Sequence, residues 1–94
     1  MYDTIAVAVN DRGAPSPLDR PCSVLLFERT ASTWEAHTEI PFALSVLDSP
    51  FFVRDKVAAL IAALGTCRII AGGPVTGLAF HALDRAGFSI FEID

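Results

Sequence analysis

Two cysteines, two histidines and one glycine-rich turn are the groups in this sequence whose chemistry reaches beyond packing. Cys22 and Cys67 offer thiols that act as soft ligands or nucleophiles once ionised. A lone cysteine in a small domain is more often a buried hydrophobe than a ligand. His37 and His81 offer imidazoles, but neither stands at metal-motif spacing from another His or Cys, so solvated surface is the default for both. The run Gly72-Gly73-Pro74-Val75-Thr76-Gly77 lies where a strand would pass into a helix. Free backbone N–H groups at such a junction hold anions. Its pattern is GGPVTG and not the GxGxxG of a dinucleotide site. A tight strand-to-helix turn, with Thr76 as a cap, is the plainer reading. Neither Ser16 nor Ser23 sits in a nucleophile elbow.

These groups are placed by the elements around them. From Thr66 to Asp94 the chain reads as a βαβ unit: an apolar run over Cys67–Ala71, the glycine turn, an amphipathic stretch over Thr76–Ala86, a stop at Gly87 and a second apolar run over Phe88–Ile93. Upstream, the pattern predicts a strand over Thr4–Asn10 that is apolar on both faces, and therefore central in a sheet. The turn residues Asn10 to Gly13 follow, then a loop of roughly ten residues carrying Pro15, Pro17 and Pro21, long for a hairpin connection. A second strand covers Cys22–Arg29. A third covers Trp34–Phe42, with Trp34, Ala36, Thr38 and Ile40 facing one way and Glu35, His37 and Glu39 the other. Leu44–Phe52 reads as irregular, with Asp48, Ser49 and Pro50 as breakers. A helix is predicted over Val53–Leu64, with Val57, Leu60, Ile61 and Leu64 as its apolar stripe and Gly65 as its stop.

The order β-β-β-α-β-α-β predicts an α/β fold with a mixed five-stranded sheet in the order 3-2-1-4-5, a ribonuclease-H-like topology. Right-handed crossovers then put both helices on one face. The other face still carries apolar residues, so a second copy, a partner protein or a chain extension is expected to cover it. Residues 1–94 form a single domain. The topology sets Cys22 and Cys67 at opposite edges of the sheet, too far apart for a disulfide or a shared metal. Cys22 lies on the same edge as the loop 11–21 and the glycine turn, which makes it the better functional candidate.

Composition narrows the function classes. The formal net charge is -4, with seven Lys and Arg against eleven Asp and Glu. That balance leaves no electrostatic footprint for a nucleic-acid backbone. A two-metal nuclease on this topology needs clustered carboxylates, one of them on the first strand; Thr4 to Asn10 holds none, and Asp11 lies past its end. Trp34 then reads as core or sheet-face packing and not as a base-stacking platform. No apolar run approaches the ~20 residues that span a bilayer. The opening MYDTIAVAVN lacks the basic region of a signal peptide, so a cytoplasmic location with reduced thiols is expected. Hydrophobic residues make up 52%, a high share for a domain this small, which also points to apolar surface kept for a partner.

Three stretches carry a resemblance: IAVAVN, WEAHTEIPF and ALGTCRIIAGGPVTGLAFHALDRAGFSIFEID. Together they resemble the iron-only nitrogenase accessory protein (AnfO) family, which has a tryptophan strand ending in E-I-P-F, an L-G-x-C run, V-T-G, and L-D-x-x-G-F-x-I-x-E-I. The resemblance implies an accessory, non-enzymatic role in molybdenum-independent nitrogen fixation. It also implies kinship with NifX-like and NafY-like domains that bind or carry nitrogenase cofactor and its iron-sulfur precursors. Those domains usually place a histidine, in an H-F-G sequence, between strands one and two. The corresponding stretch here is Pro17-Leu18-Asp19, with no histidine, and Cys22 follows a few residues on. On this reading Cys22 is the metal ligand and Arg12 and Arg20 pair with the negative charge of the cluster or its organic acid. Gly72, Gly73, Thr76 and Gly77 add turn N–H groups, and Cys67 is structural. The expected partners are the iron-only nitrogenase component or its cofactor-assembly proteins, with a homodimer as a further possibility. The alternative is a protein-interaction module that works through the open sheet face without any ligand.

Overall fold

Thr4–Val9 (β1) is the centre of a five-stranded sheet, as its two apolar faces require. The computed structural model describes residues 4–18, 20–44, 48–75 and 77–93. β1 pairs antiparallel with Cys22–Thr30 (β2), which pairs antiparallel with Thr33–Phe42 (β3). The chain then forms helix Pro50–Leu64 (α1), strand Ile69–Gly72 (β4), helix Gly77–Arg85 (α2) and strand Ser89–Glu92 (β5). β4 runs parallel to β1, and β5 parallel to β4. The strand order is β3-β2-β1-β4-β5, the order expected from the crossovers.

Strand alternation decides what each face does. Ala6, Ala8, Val24, Leu26 and Ile70 are buried in one cluster with Val57, Leu60 and Leu64 of α1 and Ala79 and Leu83 of α2. Both helices therefore lie on one face of the sheet. Each large aliphatic side chain in that cluster contributes on the order of 1.5–3 kcal/mol by leaving water. The intervening residues Ile5, Val7, Leu25, Phe27, Ile69 and Ala71 point the other way and are only half-buried. Among the described residues no helix lies over them.

Several boundaries differ from those expected. Helix α1 begins at Pro50 and not at Val53. Pro50, expected as a breaker, is the first helical residue, where a missing N–H costs nothing. Ser49 caps it, its Oγ accepting the Phe52 N–H at 3.4 Å. Gly65 ends α1 with φ 62°. Arg68 closes that end: its Nη1 donates to the carbonyl oxygens of Gly65 (2.8 Å) and Cys67 (2.7 Å). Its guanidinium also lies 5.2 Å from the Phe88 ring centroid. Cys67, expected to open β4, lies in the preceding turn, and the strand starts two residues later.

The third strand departs most. Its register shifts between Leu26, opposite Thr38, and Phe27, opposite Ala36, which leaves His37 as an extra residue. Such a bulge reverses the faces along a strand. Trp34 and Ala36 thus share the open face with Phe27, while Thr38 and Ile40 share the helix face with Leu26 and Val24. The single alternation expected across Trp34–Ile40 does not hold. No described helix is long and apolar enough to cross a membrane.

Candidate functional site

The loop between β1 and β2 is built from its own turn chemistry. Asn10 Oδ1 accepts the N–H groups of Arg12 (2.9 Å) and Ala14 (3.1 Å), and Gly13 takes φ 77°. Pro15 bridges to Val9, and the Ser16 N–H donates to the Ala8 carbonyl oxygen at 2.9 Å. Gly73 in turn donates its N–H to the Ser16 carbonyl oxygen at 2.9 Å. Leu18 then enters the core, 1% exposed. The loop and the glycine turn do converge on one edge of the sheet, as the topology implied. The loop itself is a clamped extension of the core. Asp19 and the expected cap Thr76 lie outside the described residues.

The clamp explains the paired glycines. A Cβ on Gly73 would stand 2.5 Å from the Pro17 nitrogen, and one on Gly72 would stand 2.9 Å from the Ser16 oxygen and 3.0 Å from the Ala8 Cβ. Only a residue without a side chain lets the loop come this close. The Gly73 N–H was expected to face a ligand. It is taken by Ser16 instead, so at this position the anion-binding reading gives way to a packing one. The Gly72 carbonyl oxygen accepts the Ile93 N–H at 2.7 Å. Gly77 is exposed at the start of α2, with φ 65°.

Cys22 opens β2 opposite Phe42, on the helix side of the sheet, and packs half-buried against the core. Burial pushes its thiol above the ordinary value, so the protonated form is favoured. Arg12 and Arg20 are exposed on the loop. Cys67 is buried, its thiol donating to the Ile69 carbonyl oxygen at 3.4 Å. Both cysteines are free. They lie toward opposite ends of β1, as expected, because Cys22 adjoins the Val9 end and Cys67 precedes parallel β4. Among the described residues no group of three His, Cys, Asp or Glu is placed to hold a metal ion. His37 is exposed on its bulge, its Nε2 3.8 Å from Glu28 Oε2.

The open face of the sheet holds the larger feature. Leu25, Val7, Ala71 and Phe91 are successive cross-strand neighbours over four strands. Ile5 and Phe27 form a second pair beside them. Ile5, Val7, Phe27 and Trp34 line a depression of about 140 Å³. Trp34 and Phe91, at the two sides of this surface, are 43% and 56% exposed. Composition signalled such a surface, and the odd-numbered alternation in β1 and β2 marks most of it. The bulge hid the place of Trp34.

A sequence model of the family described as iron only nitrogenase protein AnfO matches residues 4–94, and the chain belongs to that family. No curated protein gives a significant match to the chain.

Proposed function

We propose that this domain is a non-enzymatic accessory of the iron-only nitrogenase system that works by docking its open sheet face on a nitrogenase component or a cofactor-assembly protein. Family membership supplies the system. The observation that carries the docking reading is the continuous apolar row Leu25–Val7–Ala71–Phe91, flanked by Trp34, on a face that no described helix covers. Exposed aromatic side chains of this kind are the usual anchors of a protein interface. The strand order and the shared helix face also fit the ribonuclease-H-like arrangement of NifX-like domains.

The test is co-elution of the chain with apo-nitrogenase component on size exclusion, wild type against Phe91→Asp and Trp34→Asp. Neither side chain belongs to the buried core, and both are about half exposed, so an unchanged far-UV spectrum of each variant is the check that the fold is kept. Loss of the complex in both variants supports the reading. A complex indifferent to both places the contact elsewhere. Concentration-dependent doubling of mass without the component, abolished by the same changes, makes a second copy the occupant instead.

A second reading concerns cargo. An iron-sulfur cofactor in transit would be held at Cys22, with Arg12 and Arg20 meeting its negative charge. A resident cluster takes about four protein ligands, and the described residues supply one thiol at this edge. The donor set therefore fits a cofactor held briefly through one ligand and not a permanent cluster. Binding requires the cluster iron to displace the thiol proton that burial retains. Iron retained after anaerobic mixing with extracted cofactor and desalting, and lost in Cys22→Ser, supports this reading; iron no higher than a control protein removes it.

A further inference from the structure

We propose that the groove between α1 and α2 is a binding site for a small organic anion with an apolar body. It is independent of the family reading and lies on the helix layer, on the side of the sheet away from the open face. Arg54, Val57, Ala58 and Ile61 line it from α1, and Leu78, His81, Ala82 and Arg85 from α2. Each set stands at i, i+3, i+4 and i+7, so each helix turns one full face to the groove. The groove encloses about 360 Å³, within the range of small-ligand pockets.

The division of chemistry within it is sharp. Val57, Ala58, Ile61, Leu78 and Ala82 make the apolar walls, and Arg54, His81 and Arg85 are all exposed at its rim. No carboxylate lines it, although the chain as a whole carries net charge -4. Asp55 and Asp84 stand beside Arg54 and Arg85 in sequence, yet helical geometry turns both away. A solvated helix face of ordinary kind would intersperse the two signs. Here His81 and Arg85 sit one turn apart on the same face. Among the described residues neither Arg54 nor Arg85 forms an ion pair with a carboxylate. Because α1 and α2 run in the same direction, Arg54 stands toward one end of the groove and Arg85 toward the other. A carboxylate or a phosphate monoester would pair with the guanidinium fork at one end, and its hydrocarbon part would lie along the apolar walls between.

The experiment is a ¹H–¹⁵N NMR titration of the intact chain with octanoate and, separately, hexyl phosphate, with octanol as the uncharged control. Saturable shifts centred on Ala58, Ile61, Leu78 and Ala82, at a Kd of about 1 mM or tighter, are expected for at least one anion and not for octanol. The stronger of the two anions identifies the head group. The double variant Arg54→Ala, Arg85→Ala should weaken that anion about tenfold, because the charge-assisted pairing is removed at whichever end it is made. Both arginines are exposed, so an unchanged spectrum in the absence of ligand verifies the fold. No saturation by either anion, equal binding of octanol, or shifts centred on the open sheet face would each overturn the proposal.

Discussion

The backbone N–H of Gly73 donates to the carbonyl oxygen of Ser16 at 2.9 Å, and this bond ties the β1–β2 loop to the start of the second crossover. The contact is close enough that a methyl group on Gly73 would meet the Pro17 nitrogen at 2.5 Å. Gly73→Ala should therefore destabilise the domain by about 1–3 kcal/mol or more, the cost of overpacking a site bounded by backbone. Gly87 gives the contrast. It faces open space at φ 88°, so Gly87→Ala should cost only the strain of a left-handed backbone, roughly 1–2 kcal/mol. Urea unfolding of both variants decides the matter. A Gly73→Ala domain as stable as wild type would mean that the loop stands off the glycine turn.

Leu18 makes the same loop part of the core. It is 1% exposed and shares the central cluster with α1 and the sheet. Leu18→Ala should cost about 2–5 kcal/mol, as a fully buried leucine does. Leu78, 39% exposed, should cost well under half of that when truncated. Equal midpoints for the two variants in thermal unfolding would place Leu18 at the surface and restore the loop as a free segment.

The parts legible beforehand and the parts that were not divide along physical lines. Strand order followed from apolar alternation and the handedness of crossovers, which are local and general. The edge where Cys22, the loop and the glycine turn meet followed from that order. The start of α1 was misplaced because Pro50 stops a helix in its interior and opens one at its first position, and only the Ser49 cap distinguishes the two cases. The His37 bulge was invisible because it arises from pairing with β2 and not from any residue in β3. Leu18 gave no signal either, being one apolar residue among prolines. Gly73 kept two readings for a related reason: a glycine needed for a close approach and a glycine presenting its N–H to a ligand look the same in sequence.

Burial sets the pH behaviour of Cys22. Its folded-state thiol titrates above the ordinary range because the thiolate is desolvated. A raised folded value gives a stability contribution that is complete below the unfolded value and lost as pH rises through the folded one. Wild type should thus lose stability as pH rises above the ordinary thiol value of about 8.5, and Cys22→Ala should lose less over the same rise. The same desolvation predicts slower alkylation of Cys22 at neutral pH than of a cysteine in the unfolded chain. Alkylation as fast as in the unfolded chain would show an activated thiolate, which would favour the ligand role at this position.

Trp34 is the one tryptophan of the chain, and it stands on the open face beside Ile5, Val7 and Phe27. It therefore reports on whatever covers that face. A chain labelled with 5-fluorotryptophan has a single ¹⁹F resonance, and an unlabelled partner adds none. In the isolated domain the resonance should show a solvent-isotope shift between H₂O and D₂O, because the side chain is 43% exposed. Docking of a nitrogenase component on the apolar row should move and broaden the resonance and remove most of that solvent shift, since the centre of a protein interface excludes water. Phe91→Asp lies at the far side of the same row. It should leave the free resonance in place and weaken the response, because a charge covered by an apolar contact goes unpaired. The pairing of these two observations is what makes the measurement decisive. A resonance that responds to the component in wild type and in Phe91→Asp alike would confine the contact to the β3 edge, where Glu35, His37 and Glu39 are also exposed. A resonance that never responds would leave the sheet face without a partner of this kind.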